Sequence, residues 1–202
     1  MFTDFINTIL TNYGLYAFAI IFVIIFIETG LVFFPFLPGD SLLFMTGASI
    51  AKSGYNPIPF IMLLASAAII GDYVNYSLGK KYGLSLRKVP FFGKFIKDTH
   101  IAETEQFFAK YGSLGISLGR FVPIVRTFIP FISGIGRMDQ KQFLIYNCIG
   151  GLSWVLIGIL AGFFFGSIPF VQSHFEMIML AIIVISVLPI GFVAIKRHLN
   201  HK

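Results

Sequence analysis

The sequence predicts an all-α polytopic membrane protein with about four transmembrane helices and two opposed re-entrant helical hairpins in an inverted-repeat arrangement. Three observations predict this class. Hydrophobic residues make up 56% of the 202 positions and charged residues only 12%, a balance far from that of a soluble domain. Short basic segments lie between long apolar runs, and two of these runs are interrupted by proline and glycine. This length accommodates a single membrane domain, 1–202, and no separate soluble domain.

The N-terminal part of the sequence is predicted to form a surface segment followed by a helix that crosses the membrane. Residues 1–12 are mildly amphipathic, and we expect them to lie on the membrane as an interfacial segment. The apolar run Tyr13–Phe34 is long enough to cross the bilayer, and it contains Glu28 near its far end.

Residues 33–50 form the first broken apolar run. Pro35, Pro38 and Gly39 interrupt it, and Asp40 is placed to cap the helix that follows. Lipid does not tolerate exposed broken backbone, so this segment must be shielded by protein or line a wet cavity. We therefore predict a re-entrant hairpin here rather than a straight span.

The middle of the chain predicts a crossing that leads into a basic loop. Ile58–Leu78 is long enough to cross and carries Asp72, and residues 80–111 are rich in Lys and Arg. This density of basic residues marks the cytoplasmic side. The net charge of +6 is therefore better explained by a membrane face than by nucleic acid binding. Within the loop, Asp98–Tyr111 has the pattern of a helix lying along the inner surface.

Residues 112–136 form the second broken apolar run. Pro123 and Pro130 interrupt it, and it contains Arg120 and Arg126. It resembles the first broken run in kind, so we predict a second re-entrant hairpin.

The remaining chain predicts two more crossings, Gln142–Gly166 and Phe175–Ile195, and a basic tail, 196–202. The basic loop and tail place both termini in the cytoplasm. The Pro38 hairpin then enters from outside and the Pro123 hairpin from inside. Two halves of opposite orientation are the layout that transporters use to build a midplane site. Six ordinary crossings would also keep both termini inside.

Four ionisable residues in the apolar runs are the candidate functional residues: Glu28, Asp40, Arg120 and Arg126. Each costs about 2.5 to 3.5 kcal/mol at the centre of a membrane helix. The two arginines flank Pro123, and their planar forks suit two-point binding of a lipid phosphate. The two acids suit proton transfer, since burial favours the neutral form of a carboxyl group. We expect the acids to pair with the arginines when ionised, and Pro38, Gly39, Asp72 and Pro123 to support the site.

Structural roles are the alternatives. Asp40 can simply cap a helix, Glu28 can belong to a buried ion pair, and Asp72 can bond neighbouring backbone. Trp154 is expected to face lipid or to pack against other helices.

Several spaced motifs together resemble the bacterial DedA family, also called the SNARE-associated or VTT-domain family. The resemblance covers roughly Tyr13 to Gly166. The residues that carry it are Glu28-Thr-Gly, Pro35-Phe-Leu-Pro-Gly-Asp40-Ser, Gly71-Asp72 with Tyr76 and Gly79, Gly119-Arg120-Phe-Val-Pro123, Arg126-Thr and Gly134.

The resemblance implies a multi-pass protein of the bacterial cytoplasmic membrane with two facing re-entrant hairpins. Family members are linked to membrane homeostasis that depends on the proton motive force, and some to returning undecaprenyl phosphate to the cytoplasmic leaflet. The acids matching Glu28 and Asp40 and the arginines matching Arg120 and Arg126 are regarded as functionally required in that family.

Together these features predict a proton-coupled flippase for a phosphate-headed lipid, most directly undecaprenyl phosphate. The expected partners are this lipid, protons and the membrane, with no cofactor, metal or nucleic acid. A proton-coupled ion or drug antiporter and a passive phospholipid scramblase are alternatives. A membrane lipid phosphatase ranks lower, because no metal-ligand cluster or Ser-His-Asp pattern accompanies the arginines, and the protein is expected not to be an enzyme.

Overall fold

The computed structural model describes residues 16, 18–31, 39–83, 85, 98–166, 168 and 177. Several predicted features lie outside these residues. They are the surface segment 1–12, Pro38, most of the basic loop between 86 and 97, the tail 196–202 and, apart from residue 177, the crossing Phe175–Ile195.

The described part of the chain is helical and contains no strand. The helices are α1 (Phe18–Gly30), α2 (Gly39–Ser53), α3 (Pro57–Tyr82), α4 (Asp98–Tyr111), α5 (Leu114–Gly119), α6 (Pro123–Ile135) and α7 (Gln140–Phe165).

Two of these helices, α3 and α7, are long and apolar enough to cross a membrane. Each has 26 residues and is therefore about 39 Å long. Both expose large apolar side chains on the outside of the bundle, among them Ile58, Met62, Ile149 and Leu156. Apolar outer surfaces of this kind suit contact with lipid, which agrees with the two crossings predicted in this part of the chain.

Polar caps set the starts of both long helices. The Asn56 side chain accepts a hydrogen bond from the Ile58 backbone N–H at 3.0 Å, directly before the Pro57 start of α3. Asp139 accepts one from the Gln142 N–H at 3.0 Å and starts α7 two residues before the predicted position.

The start of α2 corrects the predicted role of Asp40. The helix already begins at Gly39, so Asp40 lies within the first turn and is not the capping residue. A carboxylate in the first turn is still favourable next to the positive end of the helix dipole. The Asp40 side chain is instead directed to partners on other helices, described below. The helix continues to Ser53, where Gly54 follows with a φ of 69°.

The second broken run is divided at Pro123, as predicted. Helix α5 ends at Gly119, Val122 is extended with φ −109° and ψ 111°, and α6 begins at Pro123. The prediction that Pro130 also interrupts the helix is wrong, since Pro130 lies inside α6. Proline removes one backbone donor, and packing against neighbouring helices can hold such a helix together.

Helices α2 and α6 pack in a corresponding way. Helix α2 lies mainly against α7, and α6 lies mainly against α3. In each pair the two helices run in the same direction, because residues later in one helix contact residues later in the other. Helices α2 and α6 therefore each pack on the long helix of the other half of the chain.

The same glycine contacts recur in both pairs. In the α3–α6 pair, a β carbon at Gly134 would collide with the Tyr76 carbonyl, and one at Gly79 with the Phe131 carbonyl. In the α2–α7 pair, Gly47 and Gly162 take the corresponding positions against the carbonyls of Ile159 and Phe44. These glycines let the helix backbones approach closely. The described helices thus repeat one packing unit, which brings the starts of α2 and α6 to the middle of the bundle.

Candidate functional site

A cluster of charged side chains lies where α1, α2 and α6 meet. Arg126, near the start of α6, pairs with both predicted acids. Its Nη2 donates to Oε1 of Glu28, and its Nη1 donates to both oxygens of Asp40, at 3.2 and 3.1 Å. One guanidinium fork therefore joins carboxylates from two other helices, a geometry for which its planar shape is suited.

The two carboxylates on Arg126 differ sharply in exposure. Glu28 is only 1% exposed, whereas the Asp40 side chain is 41% exposed and that of Arg126 is 15% exposed. The Glu28 carboxylate lies against the start of α2, where a β carbon at Gly39 would collide with it. The absence of a β carbon at Gly39 leaves room for this carboxylate. Arg126 holds one inaccessible carboxylate and one that reaches an open space.

The second arginine makes a separate, buried pair. Nη2 of Arg120 donates to Oδ2 of Asp72, to Oδ1 of Asn147 at 2.8 Å and to the Ala68 carbonyl at 3.3 Å. The sequence hypothesis paired both arginines with Glu28 and Asp40. In the structure, both of those acids pair with Arg126. Asp72, a predicted supporting residue, pairs with Arg120.

Trp154 lies between the two arginines and packs inside the helix bundle, which is one of the two places expected for it. Its ring centroid is 5.4 Å from Cζ of Arg126 and 5.8 Å from Cζ of Arg120. Both are cation–π distances. Its indole Nε1 donates a hydrogen bond of 2.8 Å to Oδ1 of Asp40. Trp154 is buried among the charged groups and does not face lipid.

Asn75 ties the surrounding backbone together. Its Nδ2 donates to the Thr29 carbonyl on α1 at 3.3 Å and to the Thr127 carbonyl on α6 at 3.0 Å. In the sequence, Thr29 directly follows Glu28 and Thr127 directly follows Arg126. The amide of Asn75 therefore fixes the spacing between the helices that carry Glu28 and Arg126.

Two cavities meet at this cluster. An inner cavity of about 20 Å³ has room for one water molecule and is lined by Glu28, Thr29, Asp72, Arg120, Arg126, Thr127 and Trp154. A second and more open cavity of about 210 Å³ is lined by Asp40, Arg120, Phe121, Arg126, Trp154, Ile157 and Gly158. The two arginines and Trp154 form the wall between them.

The cluster carries more acid than base. Three carboxyl groups face two guanidinium groups, so the fully ionised cluster has one uncompensated negative charge. Ionic groups in a weakly polar environment interact strongly, and an excess charge there favours uptake of a proton or of a cation. Among the described residues, no group of three His, Cys, Asp or Glu side chains is placed to hold a metal ion.

Most of the predicted site residues lie together in the structure. Glu28, Gly39, Asp40, Asp72, Arg120 and Arg126 all belong to the cluster, and Pro123 begins the helix that carries Arg126. Sequence reasoning missed the roles of Trp154, Asn147 and Asn75. One signal was available: a tryptophan or asparagine in the middle of an apolar helix has polar atoms that need partners.

Comparisons with known proteins place the chain in a family. A family model described as the VTT domain matches residues 37–164. The chain is 46% identical to Protein DedA of Escherichia coli K12, over 94% of this chain and 87% of that protein. It is 34% identical to Inner membrane protein YghB of the same strain, over 88% of this chain and 84% of that protein.

A mycobacterial protein adds to these relatives. The chain is 44% identical to an uncharacterized membrane protein of Mycobacterium tuberculosis H37Rv, over 84% of this chain and 74% of that protein. No solved structure matches the chain significantly. The family model and these relatives show that the chain is a membrane protein of the VTT-domain family, also known as the DedA family.

Proposed function

We propose that this protein is a proton-coupled flippase that moves a phosphate-headed lipid, most directly undecaprenyl phosphate, across the bacterial cytoplasmic membrane. One observation carries the proposal. Arg126, a suitable phosphate ligand, is held by two carboxylates of very different exposure, beside a second buried arginine. The lipid tail stays in the bilayer while its headgroup passes through the cluster.

Phosphate binding requires a carboxylate to leave Arg126. Both terminal nitrogens of its guanidinium already donate to acids, so an incoming phosphate competes with Glu28 or Asp40. Asp40 is the exposed one of the two and lines the open cavity. Protonation of Asp40 weakens its bond to Arg126 and frees one side of the fork, and Glu28 keeps the arginine in place.

The charges of the cluster and of the lipid favour the movement of protons together with the lipid. The fully ionised cluster is already negative by one charge, and a phosphate monoester adds at least one more. Moving an anion inward against an inside-negative potential costs about 2.3 kcal/mol per charge per 100 mV. A proton carried with each phosphate charge removes this cost. Loss of that proton to the cytoplasm restores the carboxylate, which displaces the phosphate.

The fold supports a site near the middle of the bilayer. Asp72 and Trp154 lie near the centres of α3 and α7, the two helices long enough to cross. We infer that the segments 33–50 and 112–136 are re-entrant hairpins that enter from opposite sides and that both termini are cytoplasmic. The repeated packing of α2 on α7 and α6 on α3 is what two inverted halves would produce.

The excess carboxylate also favours a second candidate, a proton-coupled cation antiporter. A net negative cluster attracts a cation without needing either arginine. The two candidates differ in their dependence on Arg126. Neutralising this residue abolishes phosphate-lipid transport, whereas cation transport would continue or increase.

The test is translocation of labelled undecaprenyl phosphate in proteoliposomes, with and without an imposed pH gradient. We expect the gradient to stimulate movement by the wild type, and Glu28→Gln and Arg126→Ala to lose this movement while remaining folded. Labelled phosphatidylethanolamine, run in parallel, measures selectivity. Lipid movement by folded wild-type protein equal to that of empty liposomes would reject this substrate.

A further inference from the structure

The Asp40 carboxylate occupies a binding position that is built from other helices. It accepts from Arg126 Nη1 on α6 and, at 2.8 Å, from the indole N–H of Trp154 on α7. Both donors line the open cavity of about 210 Å³. A charged acceptor bound by a guanidinium and an N–H donor is also how proteins hold a phosphate oxygen.

From this geometry we infer that Trp154 is a phosphate-recognition residue, and that the Asp40 carboxylate holds the place of the lipid phosphate until the lipid enters. The inference rests on the proposed function and adds a specific ligand and a competitor to it. When the phosphate binds, it replaces Asp40 as the acceptor of the hydrogen bonds from Arg126 and Trp154.

The chemistry of tryptophan favours this role. An indole N–H can only donate, so it needs an acceptor both before and after Asp40 leaves. Trp154 is buried, and its ring packs beside both guanidinium groups at 5.4 and 5.8 Å. These contacts fix the ring, so the N–H points to one place in the cavity. The site is thereby preorganised for an anion.

Several charged groups surround Asp40 and determine when it leaves. Arg126 from α6 binds it directly, Glu28 from α1 shares the same guanidinium, and Arg120 lines the same cavity. Asp72 adds a further negative charge behind Arg120. Loss of the negative charge of Asp40 leaves the arginines positive, so the phosphate then competes best for Arg126 and Trp154.

The test measures binding of dihexanoyl phosphatidic acid to the full-length protein in detergent by calorimetry, with dihexanoylglycerol as the uncharged probe. Trp154→Phe keeps an aromatic ring beside the arginines but removes the N–H. We expect its affinity for the phosphate probe to fall about tenfold, because a hydrogen bond to a charged acceptor is lost. Phe165→Leu changes an exposed aromatic residue at the end of the same helix and should bind as the wild type does.

Asp40→Asn gives the second readout. Its amide oxygen still accepts from Trp154, but its charge no longer competes for Arg126. We expect this variant to bind the phosphate probe more tightly than the wild type does in the same buffer. Trp154 is also the only tryptophan in the chain, so its fluorescence in the wild type reports the exchange of acceptors directly.

The outcomes separate this inference from the proposed function. Equal affinity of the wild type and Trp154→Phe, or unchanged fluorescence at saturating phosphate probe, overturns the role of Trp154 and leaves phosphate-lipid transport standing. Failure of the wild type to bind the phosphate probe removes both. If Trp154→Phe does not fold, wild-type fluorescence and the Asp40→Asn titration decide the question.

Discussion

At the scale of the residue, the site depends on how one guanidinium can serve two carboxylates. Arg126 reaches Glu28 with one terminal nitrogen and Asp40 with the other, and the rigid planar fork fixes a two-point geometry that an ammonium group on a flexible stem does not reproduce. Because Glu28 is buried and Asp40 reaches a cavity, the same fork has a fixed side and an exchangeable side.

The first prediction concerns this fork. Arg126→Lys keeps the positive charge but cannot hold Glu28 together with either Asp40 or the phosphate in the same two-point geometry. Loss of a charge-assisted hydrogen bond costs about 1.5 to 3 kcal/mol, so we expect lipid transport to fall at least about tenfold. Initial rates in proteoliposomes, corrected for the amount of folded protein, measure this. Wild-type rates for Arg126→Lys would show that charge alone is sufficient.

The second prediction concerns the buried pair of Arg120 and Asp72. Arg120→Ala leaves the Asp72 carboxylate buried without its partner, which typically costs about 3 to 5 kcal/mol of stability. We expect a clear drop in the unfolding temperature in detergent. The double variant Arg120→Met with Asp72→Leu removes both charges and should recover much of the loss. A double variant as unstable as Arg120→Ala would contradict this account of the pair.

At the scale of the element, glycine determines how closely α2 and α6 can pack against the two long helices. Gly134 and Gly79 bring α6 and α3 together, and Gly47 and Gly162 do the same for α2 and α7. The charged residues at the start of α2 and α6 are positioned by these contacts. Helix packing and site geometry are therefore coupled.

The third prediction tests this coupling. Gly134→Ala places a β carbon against the Tyr76 carbonyl, and Gly47→Ala places one against the Ile159 carbonyl. Overpacking of this kind typically costs about 1 to 3 kcal/mol. We expect both variants to unfold at lower temperature and to transport more slowly.

Gly115→Ala is the matched control for these two variants. A β carbon at Gly115 would meet its nearest neighbour, a Phe107 ring carbon, at 3.5 Å, an ordinary contact distance. Alanine also favours a helix by about 1 kcal/mol over glycine. Thermal unfolding of all three variants in the same detergent makes the comparison. Equal effects at positions 134, 47 and 115 would contradict the proposed role of close helix approach.

Local sequence signals predicted the bounds of the helices better than the side-chain contacts between them. The helix Asp98–Tyr111 has the predicted bounds, because its periodicity and its start are encoded within the segment. The start of α7 was missed by two residues, because the cap is Asp139. The Arg120 pair with Asp72 joins distant parts of the chain, and only the folded packing decides that Asp72 rather than Glu28 is nearest. The role of Trp154 depends on packing in the same way.

At the scale of the whole molecule, the account requires two halves inserted in opposite directions. The sequence suggests this from basic residues and broken runs, and the glycine contacts repeat as inverted halves would require. A segment has similar hydropathy whether it forms a re-entrant hairpin or a pair of crossings, so composition is compatible with both arrangements. Labelling from each side of the membrane distinguishes them.

The fourth prediction concerns this topology. Cys148 is the only cysteine and is exposed, so Cys148→Ala provides the background. Single cysteines at Leu31 and Ser53 flank the first hairpin, and those at Ser113 and Arg137 flank the second. We expect an impermeant thiol reagent to label the first two only from outside and the last two only from inside. Labelling of the two flanks of one hairpin from opposite sides would reject a re-entrant segment there.

The most direct measurement of the central claim is proton movement coupled to lipid movement. Proteoliposomes in which the lumen corresponds to the cytoplasm, with a pH-sensitive dye trapped inside, receive undecaprenyl phosphate in their outer leaflet. We predict that the lumen acidifies as the lipid crosses, and that Glu28→Gln and Asp40→Asn lose this signal. Lipid that crosses at the same rate without any luminal pH change would contradict proton coupling and identify a passive scramblase.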